Sequence, residues 1–146
     1  MQKIKTFLWY DGKAEEAAQF YTSIFRNSRV THASPMVVEF ELDGQQFIAL
    51  NGGPDFKFTE AISLFVTCES QAEVDDYWNK LISGGGSPSQ CGWLKDKYGL
   101  SWQIIPKTLI ELMSDKNPAK ANAVTQAMLK MRKIDIAALK AAYAGA

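Results

Sequence analysis

The stretch Cys91–Pro106, CGWLKDKYGLSWQIIP, reads as two short β-runs, 92–95 and 100–105, joined across a turn at Asp96–Gly99. Strand alternation puts Trp102 and Ile104 on one face and Gln103 and Ile105 on the other. The larger aromatic is expected to pack under a helix. That leaves the neutral amide of Gln103 facing a cavity with apolar walls and few polar groups.

Working upstream, residues 87–91 offer another short strand, and the glycine run SGGGS (83–87) stops a helix over 70–82, SQAEVDDYWNKLI. Ser70 and Glu73 stand at capping-box spacing, and Val74, Tyr77, Trp78, Leu81 and Ile82 form its apolar face. AISLFVTC, 61–68, reads as the strand before it. The same order occurs once earlier in the chain. IKTFLWY, 4–10, predicts a strand. AEEAAQFYTSIF, 14–25, predicts a helix, with Ala14, Ala17, Ala18, Tyr21, Ile24 and Phe25 at helical spacing. A short strand is expected near 29–33, and MVVEFEL and QQFIALN, 36–42 and 45–51, flank the hairpin dipeptide Asp43–Gly44. Phe20–Tyr21 then matches Tyr77–Trp78, and Gly44 matches Gly99.

This internal duplication predicts an α+β fold. Two tandem modules of a strand, a helix and two or three more strands, about 1–54 and 60–106, curve around a shared cavity. Residues 107–146 carry no strand signals and many alanines and lysines, and read as a C-terminal helical extension of the same domain. Thr108 and Glu111 suggest a capping box, Asn117–Pro118 a cap with proline at the first helical position, and Asp135 the cap of a last helix, IAALKAAY. Val124, Ala127, Met128 and Met131 give a packing face or, alternatively, a partner-binding one.

At 146 residues, 47% hydrophobic and 22% charged, the chain is of one-domain size and ordinary globular composition. Its formal net charge is zero and it has no basic stripe, which argues against nucleic acid. No apolar run reaches the roughly 18 residues of a membrane span. The N-terminus lacks the apolar core of a signal peptide, so the cytoplasm is the expected compartment and Cys68 and Cys91 are expected reduced. His32 is the one histidine, so neither a two-histidine-one-carboxylate iron site nor a three-histidine zinc site can be built within one chain. No GxSxG elbow or phosphate loop occurs, and the turn after the first strand is DGKAEE, not a glycine-rich cofactor loop. Glu39 and Glu41 share one strand face. They are solubility residues if that face is solvated and bases or metal ligands if it lines a cavity; parity alone does not choose.

Three segments together carry a resemblance: FLWYDGKAEEAAQFYTSIF (7–25), FIALNGGP (47–54) and CGWLKDKYGLSWQIIP (91–106). They resemble the PhnB-like branch of the vicinal oxygen chelate superfamily, labelled 3-demethylubiquinone-9 3-methyltransferase. That superfamily also holds glyoxalase I, bleomycin-resistance proteins, extradiol dioxygenases and fosfomycin-resistance enzymes. The tail AMLKMRKIDIAALKAAY, 127–143, is similar to the same branch. The resemblance implies paired βαβββ modules and a homodimer.

In metal-using members the resemblance implies four ligands on cavity-lining strands. Carried over, their places fall near Thr6, at Ala49 or Asn51, at Ser63 and at Gln103. Hydroxyls and amides supply no anionic ligand, so a divalent metal is possible but disfavoured and no cofactor is expected. The expected pocket is lined by Thr6, Leu8 and Asn51 from the first module, and by Ser63, Phe65, Trp93 and Gln103 from the second. The expected function is metal-independent binding of a small molecule, as in bleomycin-resistance proteins. One alternative is a superfamily enzyme of lyase, isomerase or transferase type, with Glu39, Glu41 or Asp96 as base. Another is a partner-binding module that uses the C-terminal helices. Methyl transfer is not expected, because no glycine loop would hold the methyl donor.

Overall fold

A computed structural model describes residues 2–146. The chain divides into two compact units, the first ending at Phe58 and the second spanning Thr59–Ala146.

The first unit runs β1 (Thr6–Tyr10), α1 (Ala14–Ile24), β2 (Arg29–Ala33), β3 (Val37–Leu42) and β4 (Gln45–Asn51). Its four strands lie in the order β1-β4-β3-β2, with β1 parallel to β4 and the other pairs antiparallel. The β3–β4 hairpin turns on Asp43 and Gly44, whose φ angles of 49° and 79° match the strand twist in the way two-residue hairpins require. Ala14, Ala17, Ala18, Tyr21 and Ile24 bury one face of α1. They meet the buried alternates of the strands: the Tyr21 hydroxyl lies 3.0 Å from that of Tyr10, its ring packs 6.2 Å from Phe40, and Phe40 stacks on Phe47. Between Val30 and His32 the pairing of β2 with β3 slips by a bulge.

The second unit repeats the plan with β5 (Leu64–Cys68), α2 (Gln71–Ile82), β6 (Ser87–Pro88), β7 (Trp93–Lys95) and β8 (Ser101–Pro106). Its sheet order, β5-β8-β7-β6 with β5 parallel to β8, is that of the first unit element for element. The expected tandem βαβββ modules are therefore present, as two four-stranded sheets and not one closed barrel. The Ser70 hydroxyl caps α2 by accepting from the Glu73 amide at 3.2 Å. The Glu73 carboxylate in turn accepts from the backbone of Glu69 at 3.1 Å, one residue before the cap. Residues 61–63, expected within the strand, precede it.

Three helices close the chain: α3 (Lys107–Met113), α4 (Pro118–Met128) and α5 (Ile136–Ala144). Asn117 and Asp135 cap α4 and α5 as their spacing predicts. The capping box expected at Thr108 and Glu111 does not form. Pro106 is still paired to Cys68 in the sheet, so α3 starts directly after it, at Lys107, without a side-chain cap. The extension packs on the second sheet through Ile105, Leu109, Val124, Ile134 and Leu139, with Ala127, Met128 and Met131 against that cluster. The backbone fastens it too. The amides of Cys91 and Gly92 donate to the carbonyls of Met131 and Arg132 at 2.9 and 2.7 Å, and the Gly92 carbonyl accepts from Ile104. Only glycine fits at 92: its φ is 85°, and a Cβ there would lie 2.7 Å from the Ile105 side chain.

Candidate binding cavity

The open face of the second sheet is built around Gln103. In register, Gln103 stands between Phe65 on β5 and Trp93 on β7, so three side chains from three strands share one face. Trp102 and Ile104, one step away on β8, are buried on the other side, as strand alternation predicts. The Gln103 amide nitrogen donates to the Ser63 hydroxyl at 3.0 Å, which fixes the amide across the start of β5. Phe65 is 52% exposed, an unusual position for a phenylalanine within a sheet.

A cavity of about 250 Å³ lies on this face. The sheet side supplies Phe65, Cys91, Trp93, Gln103 and Ile105, and the extension supplies Leu109, Ile110, Met113 and Met128. Of the residues expected to line a pocket, Phe65, Trp93 and Gln103 meet here, and Ser63 reaches it through Gln103. Sequence reasoning missed Cys91 and the four residues of the extension. The signal for Met128 is present in the helical spacing of the tail, which predicts a packing or partner-binding face and does not say which surface it meets.

The first-module residues have other surroundings. Leu8 is 5% exposed and pairs with the fully buried Ala49, so both belong to the core shared with α1. Thr6 has the same parity at the half-buried start of β1. Asn51 is a structural tie: its side-chain oxygen Oδ1 accepts from the Ala14 amide at 2.8 Å, and its side-chain nitrogen donates to the Pro35 carbonyl at 2.9 Å. It thus satisfies an orphan amide at the start of α1, where Lys13 offers no side-chain cap. The register is the reason, since one residue of slip exchanges the two faces of a strand. The face away from α1 carries Phe7, Trp9, Glu39, Glu41 and Ile48.

The three acids considered as bases separate clearly. Asp96 is 2% exposed and its carboxylate is committed to the turn. It accepts from the amides of Tyr98 and Leu100 at 2.9 and 3.1 Å and from the Trp102 indole at 2.9 Å. Glu41 pairs with Arg29 at 3.4 Å. Glu39 and Glu41 border a shallow depression of about 150 Å³ on the first sheet, beside Lys5, Thr31 and Gln46. None of the three borders the cavity on the second sheet. Of the two thiols, Cys68 is fully buried and desolvation pushes its pKa up to about 12.

The family profile described as 3-demethylubiquinone-9 3-methyltransferase matches residues 2–105. A PhnB protein from Bacillus cereus is 38% identical, with a TM-score of 0.65 over 72% of this chain and 99% of its own. This chain belongs to that family, the PhnB-like branch of the vicinal oxygen chelate superfamily. Two more distant structures share the fold. Protein PA1353 from Pseudomonas aeruginosa is 17% identical, with a TM-score of 0.59 over 73% of this chain and 98% of that one. A glyoxalase-related enzyme from Fulvimarina pelagi is 13% identical, with a TM-score of 0.52 over 72% and 88%. No curated protein gives a significant match.

The PhnB-like fold raises the question of a metal. Among the described residues, no three histidine, cysteine, aspartate or glutamate side chains cluster to hold an ion. The polar groups at the cavity are the Gln103 amide bonded to the Ser63 hydroxyl, the Trp93 indole and a single thiol, that of Cys91. This donor set does not fit a divalent cation, which needs anionic or imidazole ligands to offset its lost hydration. The family description also implies a methyl donor. S-adenosylmethionine carries a sulfonium, an ammonium, a carboxylate and a ribose diol. The cavity wall offers no charged side chain to any of them, so the residues present do not fit that group either. Among the described residues no helix is long and apolar enough to cross a membrane.

Proposed function

We propose that this PhnB-like protein binds a small organic molecule, without a metal, in the cavity on its second sheet. The observation that carries this reading is the setting of Gln103. A single amide, held by Ser63, stands between two aromatic side chains on a face walled by apolar residues. A mostly apolar recess with few fixed polar groups is the usual form of a ligand site. The same observation weighs against an enzyme that abstracts a proton there. A general base must reach the proton it takes, and the cavity wall includes no carboxylate or imidazole.

A thermal-shift screen of neutral, anionic and cationic small molecules tests the reading, run on the wild type and on Met113→Trp, which fills the recess. Compounds that raise the melting temperature of the wild type and lose that effect in the filled variant are expected. If every stabilising compound acts equally on both, the cavity is not the site. One tightly held metal per chain in the purified protein, measured by plasma mass spectrometry, would overturn the metal-free part.

A further inference from the structure

We infer that the helical extension makes this cavity selective for neutral ring compounds that carry one uncharged hydrogen-bonding group, such as a hydroxyl. The inference rests on the reading of the cavity as a ligand site and adds what it selects and which element does the selecting.

The charge argument comes first. No lysine, arginine, aspartate or glutamate borders the recess. An ionic ligand entering it would lose hydration and find no counter-charge, which weakens its binding relative to a neutral one. The polar argument follows from Gln103. Its bond to Ser63 uses one end of the amide, and its oxygen has no other partner among the described residues. An amide beside a hydroxyl presents a donor and an acceptor together, which a ligand hydroxyl satisfies with one atom. The shape argument comes from Phe65 and Trp93, which stand on either side of Gln103 and offer flat surfaces to a ring.

The assignment of selectivity to the extension has its own support. Leu109, Ile110, Met113 and Met128 form the wall facing those sheet residues, and all four lie beyond residue 105, where the family match ends. The Bacillus cereus relative is covered almost end to end by 72% of this chain, so it has no counterpart to the rest. The sheet residues lie within the family match, and the opposite wall lies beyond it. Methionines there adapt to ring edges of different outline. The wall is also held in place before any ligand arrives. Leu109 sits in the core with Ile105 and Val124, and the 131–132 backbone is bonded to Cys91 and Gly92. Preorganisation of this kind lowers the entropic cost of binding.

The test uses the full chain and three probes of one size: 2-naphthol, naphthalene and 2-naphthoate, titrated by fluorescence against the wild type, Gln103→Leu and Met113→Lys. The wild type is expected to bind 2-naphthol about tenfold or more tighter than 2-naphthoate. Gln103→Leu should bring 2-naphthol down to the level of naphthalene. Met113→Lys, at a position 38% exposed where a lysine can be accommodated, should raise 2-naphthoate affinity about tenfold. Circular dichroism and melting curves confirm that each variant is folded. Equal or tighter binding of 2-naphthoate by the wild type overturns the neutral class. An unchanged naphthol-to-naphthoate ratio in Met113→Lys overturns the role of the extension. If no naphthalene probe binds while other compounds from the thermal-shift screen occupy the cavity, this inference falls and the site reading stands. If neither set binds, both fall.

Discussion

At the scale of single residues, identity mattered less than which way each side chain turns. Gln103 and Trp102 were separable from sequence because a strand inside a duplicated module has a known buried side. Asp96 was not. A carboxylate in a turn looks like a free acid until its three donors are seen, and two of them are backbone amides that no composition reveals. Asn51 hides in the same way, because its partners Ala14 and Pro35 come from distant parts of the chain.

Cys68 yields a measurable consequence of burial. The folded chain keeps its proton up to about pH 12, whereas an exposed thiol in the unfolded chain loses it near pH 9. Between those values the folded state binds more protons, so stability is complete below about pH 9 and falls as pH rises. Denaturant unfolding at about pH 8 and pH 10.5 should show the wild type losing roughly 1–2 kcal/mol more than Cys68→Ala over that interval. Parallel losses in the two proteins would show that the thiol is not held neutral by the fold.

At the scale of elements, most boundaries were legible because each is set by local chemistry. Ser70, Asn117 and Asp135 accept helix amides at the caps, and Asp43–Gly44 takes the turn its positive φ angles require. What local chemistry does not encode is where an amphipathic helix docks. The apolar stripe of 124–131 predicted burial, and its target on the second sheet came only with the structure. Gln71 is the clearest case of a long-range tie. Its side-chain nitrogen donates to the Ile134 carbonyl at 3.0 Å and to Asp75 at 2.9 Å, and its oxygen accepts from the Ile136 amide at 2.8 Å. Those bonds, with Lys133 paired to Asp75 at 2.9 Å, clamp the start of α5 to the start of α2. Gln71→Ala should therefore cost about 2 kcal/mol and speed amide hydrogen exchange across α5 more than across α1. Unchanged protection in α5 would mean that the apolar contacts of Ile134 and Leu139 hold the helix without the clamp.

At the scale of the whole molecule, the duplication that order and spacing suggested is present in sheet order, strand direction and helix placement. The division of the chain is less symmetrical than the sequence implied. The extension forms one compact unit with the second module, while the first unit ends at Phe58. Phe56 and Phe58 pack edge-on against Trp9 and Tyr10, which fastens the end of the first unit to β1. Thr59, Glu60, Ala61 and Ile62 follow, all exposed and outside any helix or strand. Limited subtilisin digestion is expected to cut first within 59–62 and release two fragments that resist further cleavage longer than the intact chain resists the first cut. A first cut between α3 and α4 or between α4 and α5 would instead make the extension the least anchored part.

The bulge in β2 bears on how the molecule behaves when crowded. β2 is an outer strand of its sheet, and four of its five residues are exposed. Such an edge offers unpaired backbone groups to any passing strand, which is how folded proteins begin to aggregate. Here the slip between Val30 and His32 breaks the run of evenly spaced donors and acceptors, and Arg29 sets a charge at its start. A strand from a second molecule can follow this edge for only a few residues before its register is lost. Concentrating the protein should therefore not seed sheet growth along β2, even though Val30 and Thr31 within that edge are good strand formers.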